Sequence, residues 1–282
     1  MGLTAHLLLA LKGSVALLIF AVGLDSRLKD LAYLRQRPGV MLRSLLAMYV
    51  VVPLLALAAV KLLQLPPGLE LALVVLAISA GAPMLPRKLM RLGNEEYVVS
   101  LVVVSSLLAI VTVPAWLVLL GPRFARLDTL DPATVAGVLG KSFLLPMLLG
   151  IAVRGFLPDA SARLSDVLLK FVGIVFSACA LALLATHWQV VGAIVGPPIL
   201  ALGGFTLAAL SVGHLMGGPD PNDRTALAVT CATRHVGVAM VIAAATPGPR
   251  TVVLIVAYTF ASALVIIPYM KWRGRAATSA PG

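Results

Sequence analysis

Nine long apolar runs follow one another along the chain. They cover about residues 5–24, 39–63, 70–92, 97–120, 133–153, 165–186, 190–216, 225–246 and 250–270. Each run is long enough to cross the hydrocarbon core of a bilayer, which takes about 20 helical residues. Segments such as Pro66-Pro67-Gly68 and Pro247-Gly248-Pro249 separate the runs and end helices. The pattern predicts an all-α polytopic membrane protein of about nine transmembrane helices, forming one transmembrane domain over residues 1–282.

The basic residues are distributed unequally between the two sets of turns. One side collects Arg27, Lys29, Arg35, Arg37, Arg43, Arg87, Lys88, Arg91, Arg154, Arg163, Lys170, Arg224, Lys271, Arg273 and Arg275, and the other collects Lys12, Lys61, Arg123, Arg126 and Arg250. Because cytoplasmic loops carry the excess of Lys and Arg, the N-terminus is predicted to lie outside. Residues 272–282 then form a cytoplasmic tail, which we expect to be disordered after Trp272. The short loops favour a bacterial inner (plasma) membrane.

The composition agrees with burial in lipid, so the bilayer is the first predicted partner. Apolar residues make up 60% of the chain and charged residues only 12%, whereas soluble domains carry about 25% charged residues. The net charge of +11 does not indicate nucleic acid, because the bases lie at the ends of apolar runs. Cys179 and Cys231 share no metal-ligand spacing, so neither a metal site nor a disulfide is predicted.

The third and eighth runs are interrupted in ways that ordinary membrane helices are not. The third contains Gly81-Ala82-Pro83-Met84-Leu85-Pro86 directly before Arg87 and Lys88. The eighth contains small and hydroxyl residues, Thr230-Cys231-Ala232-Thr233, directly before Arg234 and His235. Interrupted helices at corresponding positions of two repeats indicate the binding site of a secondary transporter.

These two interruptions divide the chain into halves of matching order. The first repeat covers about residues 5–120 and the second about 133–270, with the run 133–153 as an unmatched linking span. Four spans and one linking span turn the second repeat upside down relative to the first. The chain therefore has the parity of the inverted repeats that many alternating-access transporters contain.

Both interruptions contain basic residues but no acidic residues. No Asp or Glu lies within either stretch, although a charge inside the membrane costs at least about 2.5–3.5 kcal/mol. A small organic anion is therefore the predicted ligand. The candidate substrate-binding residues are Arg234, His235, Thr230, Thr233, Arg87, Lys88, Ser105 and Ser106. Arg87 and Lys88 also fit an interpretation as interfacial anchors, and the hydroxyl residues fit one as ordinary helix-interface residues.

Several short motifs occur together in the order of a known family. They are Ala21-Val22-Gly23-Leu24, Leu92-Gly93-Asn94 after the first break, Ser105-Ser106-Leu107-Leu108, and Asp223-Arg224-Thr225-Ala226-Leu227-Ala228 before the second break. Over nearly its whole length the chain resembles the bile acid–sodium symporter superfamily, in its nine-span form. The resemblance implies a panel domain, a core domain in which the two broken helices cross, and transport of organic anions by alternating access.

The sodium-site motifs of that superfamily are missing here. At the first break, Gly81 to Lys88 replace a Gly-Gly-x-x-Ser-Asn type motif. At the second, Thr230 stands in place of a Glu, and Arg234-His235 in place of Gln-Asn. A hard cation needs oxygen ligands, which Arg does not offer. We therefore expect no cofactor and no two-sodium mechanism. We expect Arg234 and His235 to take the place of bound cations in neutralising an anionic substrate, or His235 to link transport to a proton.

Two alternatives stay open at this point. An arsenite-efflux or auxin-carrier-like transporter needs, in its arsenite version, a central reactive thiol, for which only Cys231 is placed. An intramembrane protease would use Glu95-Glu96 with His235 as a partner. The Arg expected after the acids and a glycine-flanked nucleophile are both missing, so the chain is not predicted to be an enzyme.

Overall fold

The computed structural model describes residues 3–26, 36–81, 95–128, 130–192, 196–244 and 250–278, which are helical apart from short connections. The helices are α1 (Leu3–Asp25), α2 (Pro38–Leu63), α3 (Pro67–Ile78), α4 (Glu95–Leu120), α5 (Pro132–Phe156), α6 (Pro158–Thr186), α7 (Pro197–Met216), α8 (Pro221–Thr233), α9 (Val236–Ala244) and α10 (Arg250–Thr278). Single helical turns lie at Gly121–Arg123, Ala125–Asp128 and Trp188–Gly192. None of the described residues forms a strand.

Eight helical stretches of the described chain are long and apolar enough to cross a membrane. They are Leu3–Asp25, Pro38–Leu63, Glu96–Arg123, Pro132–Phe156, Pro158–Thr186, Ile199–Met216, Pro221–Ala243 and Arg250–Arg275. Of the remaining predicted span, 70–92, the structure describes α3, while residues 82–92 lie outside the described ranges. The prediction of an all-α polytopic membrane protein is confirmed.

Proline begins six of these helices, namely α2, α3, α5, α6, α7 and α8. A proline in the first turn loses no hydrogen bond, because the first N–H groups of a helix have no acceptor within it. Two of these starts also have an aspartate cap. The carboxylate of Asp131 accepts the N–H of Thr134 at 2.8 Å, and that of Asp220 accepts the N–H of Asn222 at 2.7 Å.

Helices α1, α5 and α6 pack together as one group. Glycines bring α1 and α5 into backbone contact: a methyl group on Gly23 would lie 2.4 Å from the carbonyl oxygen of Met147, and one on Gly150 would lie 2.3 Å from that of Phe20. Such close approach lets membrane helices associate by van der Waals packing. Helices α2, α3, α7, α8, α9 and α10 form a second group, and α4 contacts both α8 and the start of α5.

Three predicted boundaries are corrected by the structure. The span predicted from 165 begins at Pro158, because a proline start allows two polar turns to precede the apolar run. The span predicted from 190 begins at Pro197, after Gly196 with a positive φ of 108°. The tail predicted to be disordered after Trp272 continues as helix to Thr278, since Arg273 donates to the hydroxyl of Thr225 at 2.8 Å.

Candidate functional site

The two helix breaks meet in the second group of helices. Helix α3 ends at Ile78, and α8 ends at Thr233, one residue before Arg234. The backbone N–H of His235 donates to the carbonyl oxygen of Ser79 at 2.8 Å, so the two interrupted backbones are joined directly. Such non-helical backbone is tolerated at membrane depth only where protein or a water-filled cavity surrounds it.

The end of α3 satisfies part of its carbonyl groups locally. Val75 accepts the hydroxyl of Ser79 at 2.7 Å as well as its backbone N–H at 3.2 Å. Ile78 accepts the N–H of Ala80 at 3.1 Å. The carbonyl oxygen of Leu76 also accepts the N–H of Ser79, at 3.1 Å. A helix end leaves its last four carbonyl groups without a full set of intrahelical partners, so the carbonyl groups of Leu76 and Ala77 can both accept further donors.

Arg234 supplies those donors. Its Nε donates to the carbonyl oxygen of Leu76 at 3.1 Å, and its Nη2 donates to that of Ala77 and, at 3.2 Å, to that of Met48 in α2. The side chain is only 1% exposed. Hydrogen bonds to a charged group contribute about 1.5–3 kcal/mol each. Three of them exceed the cost of about 2.5–3.5 kcal/mol for placing an arginine inside a membrane.

The backbone at Arg234 is itself unusual. Its φ of 47° lies in the left-handed region, which among the described non-glycine residues only Gln64 shares. A conformation of this kind costs about 1–3 kcal/mol and persists only where surrounding contacts hold it. Here the three carbonyl contacts of the guanidinium hold it, so the break in α8 and the cap on α3 depend on the same residue.

The side chain of His235 caps the N-terminal end of α9. Its Nδ1 accepts the backbone N–H of Val238 at 3.2 Å, which makes the ring the neutral form that carries its proton on Nε2. That Nε2 is buried and has no hydrogen-bond partner within the described chain, and the same holds for Nη1 of Arg234. The imidazole also meets the ring of Phe143 edge to face, with 4.7 Å between ring centroids.

The hydroxyl groups predicted near the second break are used inside their own helix. Thr230 donates to the carbonyl oxygen of Ala226 and Thr233 to that of Val229, each at 2.8 Å. The carbonyl group of Ala232 at the helix end is capped from α10 by the hydroxyl of Tyr258. The second break is thus closed by a neutral phenol, whereas the first is closed by a cation.

Ser105 lies at the meeting point of the breaks. A methyl group on Gly81, whose φ is 94°, would lie 2.5 Å from the Oγ of Ser105 and 3.7 Å from Cδ2 of His235. The Oγ of Ser105 donates to Val102 at 3.0 Å, and its carbonyl oxygen accepts the hydroxyl of Tyr49 at 2.6 Å. The neighbouring Ser106 is buried as well.

The structure therefore brings Arg234, His235 and Ser105 together. Thr230 and Thr233 lie on the half-helix that leads to them. Arg87 and Lys88 lie outside the described residues. Binding of a substrate by any of these side chains stays a prediction. Within the described ranges, no three His, Cys, Asp or Glu side chains lie close enough together to hold a metal ion.

A cavity of about 680 Å³ opens between the two helix groups, beside the second break. Helix α1, the chain from Leu130 to Phe143 and helix α9 line it. Its polar side chains are Lys12, Asp131, Thr134 and Ser142, and its apolar ones include Val15, Val135, Val138, Met240 and Val241. Its inner end is formed by Phe143, which contacts His235, and by Gly237.

Lys12 is the basic residue of this cavity. It lies nine residues after Leu3 in α1, which is about 14 Å along the helix, and it is exposed. Among the residues that the structure describes, no acidic side chain forms an ion pair with it. From the sequence, Lys12 was predicted only to be one of the basic residues on the outer side. Its position in the middle of the first apolar run was the signal that it lies inside a span.

Asp131 lines the outer end of the same cavity, immediately before α5. The hydroxyl of Thr134 and then its backbone N–H hold the pKa of Asp131 below the usual value. The carboxylate is therefore charged at neutral pH.

The positions of Cys231, Glu96 and His235 bear on the two alternative functions, arsenite transport and intramembrane proteolysis. Cys231 is fully buried in α8, so its thiol is not open to an arsenite ion in this conformation. Glu96 is exposed at the start of α4, whereas His235 is fully buried at the break. The thiol of Cys231 is therefore inaccessible in this conformation, and of Glu96 and His235 only Glu96 is accessible.

Comparison with known proteins now adds to this geometry. The sequence model of the sodium bile acid symporter family matches residues 14–196, which is more than half of the chain. The matched stretch contains the first helix break and ends before Arg234. No curated protein matches the chain. The match confirms the resemblance seen in the sequence motifs, and the chain belongs to the sodium bile acid symporter family, whose members are membrane transporters.

Proposed function

We propose that the chain is a secondary transporter of amphipathic organic anions that works by alternating access. Its N-terminus lies outside and its C-terminus in the cytoplasm of a bacterial inner membrane. The observation that carries the proposal is the cavity between the two helix groups. Its largely apolar surface holds one lysine that forms no ion pair with any residue of the described ranges.

The depth of the cavity suits one state of a transport cycle. It runs from Asp131, just before α5, to Phe143, eleven residues after Pro132. At about 1.5 Å per residue this is about 16 Å, or half of the hydrocarbon core of about 30 Å. The cavity therefore reaches from one surface to the middle of the membrane and ends at the meeting point of the broken helices, where secondary transporters bind their substrates.

The lining of the cavity favours a ligand with one anionic group and an apolar body. Lys12 offers a positive charge to a carboxylate or sulfonate, while Val15, Val138 and Met240 offer apolar contacts. The volume lies within the range of about 300–1,000 Å³ that small-molecule sites occupy. A short, fully polar anion would leave the apolar side chains without contact, so we expect larger amphipathic anions to be preferred.

The packing of the helices supports the movement that transport needs. The cavity wall belongs on one side to α1 and α5, and on the other to α9, which is part of the group that contains both breaks. Rocking of one group against the other would close this cavity and open a passage to the opposite surface. Alternating access in repeat-built transporters is largely a rigid-body movement of this kind.

The direct experiment is uptake of labelled anions by the purified protein in proteoliposomes. We expect bile salts to be taken up faster than pyruvate, with pantoate between them. The substitution Lys12→Gln should reduce uptake at least tenfold, because it removes the charge that holds the anion. Lys141→Gln is the matched control, since Lys141 is an exposed lysine in the middle of α5 that does not line the cavity. It should leave uptake unchanged.

Two results would contradict the proposal. One is the absence of uptake of every anion in the series by well-folded protein. The other is an equal effect of Lys12→Gln and Lys141→Gln, which would indicate that both lysines act through general charge rather than through the cavity.

A further inference from the structure

We infer that the guanidinium of Arg234 is a tethered cation, which permanently fills the place at the end of α3 where a metal cation would otherwise bind. The consequence for coupling rests on the proposed transport function: transport then proceeds without an exchangeable sodium ion. The occupancy of the place by Arg234 does not depend on which substrate is carried.

The carbonyl oxygens that accept hydrogen bonds from Arg234 are of the kind that can also coordinate a metal cation. Leu76 and Ala77 at the end of α3 and Met48 in α2 direct their carbonyl oxygens at one guanidinium. Unwound carbonyl groups and half-helix C-terminal ends are the ligands by which broken-helix transporters coordinate sodium, and hard cations in general prefer oxygen ligands. Arg234 uses these oxygens as hydrogen-bond acceptors, so an ion and the guanidinium exclude each other.

The surroundings of Arg234 make this occupancy permanent. Its side chain is fully buried, and arginine keeps its charge at any pH at which a protein folds. The ionisable side chains that act on it in the described chain are Cys231, Tyr49 and Tyr258, which are uncharged near neutral pH. Within the described ranges no carboxylate is among the groups that act on the guanidinium, and the helix-end carbonyls are its negative partner.

Because the cation is the side chain of Arg234, it stays attached to the chain at the second break. Arg234 lies between the half-helices α8 and α9, and it contacts α2 and α3 as well. A bound ion could hold the same carbonyl groups together but would leave them on dissociation. A side chain holds them in every state in which this part of the molecule stays folded. The group containing both breaks then moves as a rigid body, with no ion to load or release.

The test measures cation binding by thermal unfolding of the purified full-length protein in detergent, without any organic anion. We expect the wild-type protein to unfold at the same temperature in sodium chloride and in choline chloride. The variant Arg234→Ala should unfold at a lower temperature. Guanidinium chloride at low millimolar concentration should raise that temperature, because a free guanidinium ion can bind to the vacated carbonyl groups.

Arg154→Ala is the matched control. Arg154 also donates to a helix-end carbonyl, that of Leu24 at 2.7 Å, but it lies at the helix end near Asp25, 3.8 Å away, and its side chain is 13% exposed. Water can replace it there, so guanidinium should not stabilise this variant.

Three outcomes overturn the inference. The first is a stabilisation of the wild-type protein by sodium that choline and potassium do not reproduce. The second is a folded Arg234→Ala variant that guanidinium fails to stabilise. If Arg234→Ala does not fold, the wild-type comparison of sodium with choline decides alone. Sodium-driven uptake that still depends on Lys12 would overturn this inference and leave the proposed transport function standing.

Discussion

The Nε of Arg234 lies 3.1 Å from the carbonyl oxygen of Leu76, although 158 residues separate them in the chain. This hydrogen bond closes the first helix break with a side chain that belongs to the second. The two breaks are consequently one structural unit: loss of Arg234 leaves the carbonyl group of Ala77, at the end of α3, without its donor and also changes the end of α8.

Two substitutions at Arg234 distinguish the strain of its left-handed backbone from the hydrogen bonds of its guanidinium. Arg234→Gly and Arg234→Ala remove the same guanidinium, but only alanine keeps a Cβ at a φ of 47°. We expect the glycine variant to be more stable by up to about 1 kcal/mol, because left-handed backbone costs a non-glycine residue about 1–2 kcal/mol, partly offset by the entropy of glycine. The measurement is the midpoint of unfolding in detergent.

Gln64 provides the control for that comparison. It has the same φ of 47° but is exposed at the end of α2. The pair Gln64→Gly and Gln64→Ala should differ in the same direction. Suppose that Gln64→Gly is more stable to unfolding than Gln64→Ala, whereas Arg234→Gly is less stable than Arg234→Ala. That result would show that residue 234 does not have the left-handed backbone described here.

Gly81 is expected to tolerate no side chain. Gly81→Ala adds a methyl group at a φ of 94°, 2.5 Å from the Oγ of Ser105. The unfolding temperature should fall, and the added substitution Ser105→Ala should restore only part of it. The second substitution removes the contact with Oγ, but the Cβ of residue 105 stays 3.1 Å from the added methyl group and the backbone strain remains. Complete recovery in the double variant, or no loss in the single one, would contradict this account of the contact.

The hydroxyl of Tyr258 should make its own contribution to stability, separate from the packing of the buried ring. Tyr258→Phe keeps the ring but leaves the buried carbonyl group of Ala232 without its donor, which costs about 1–3 kcal/mol. Tyr269→Phe is the comparison, because Tyr269 is only half-buried and its hydroxyl bonds to the side chain of His214 at 2.8 Å. Unfolding measurements on both should show the larger loss at Tyr258, and equal losses would contradict a special role for the second helix end.

Two glycines of α5 should respond in opposite directions to the same substitution. Gly150→Ala places a methyl group 2.3 Å from the carbonyl oxygen of Phe20 and should separate α5 from α1. Gly155→Ala meets no atom within 4 Å and should stabilise its helix by about 0.5–1 kcal/mol. The unfolding temperature of each variant checks this, and destabilisation by Gly155→Ala would show that the local packing differs.

The sequence was sufficient for the class of fold and for the place of both interruptions. In lipid, an apolar run of about 20 residues forms a helix, because a helix satisfies its backbone hydrogen bonds internally. A basic residue inside such a run is rare and is therefore easy to recognise. The partners of Arg234 could not be predicted, since carbonyl groups carry no residue identity and Leu76 and Met48 are distant in the chain. Lys12 was recognised only as an outer base, because a cavity depends on how α1, α5 and α9 pack, which the hydrophobic pattern does not encode.

The central claim is that the cavity beside the second break holds the transported anion. Its most direct test is the labelling of a cysteine at Ser142, which lines the cavity, by a membrane-impermeant thiol reagent applied from outside. The background carries Cys179→Ala, while Cys231 is fully buried and is retained. We predict that Ser142→Cys is labelled and that a transported anion slows the labelling, whereas labelling of Lys141→Cys is unaffected by the anion. Labelling of Ser142→Cys at the same rate with and without a transported anion would contradict the claim.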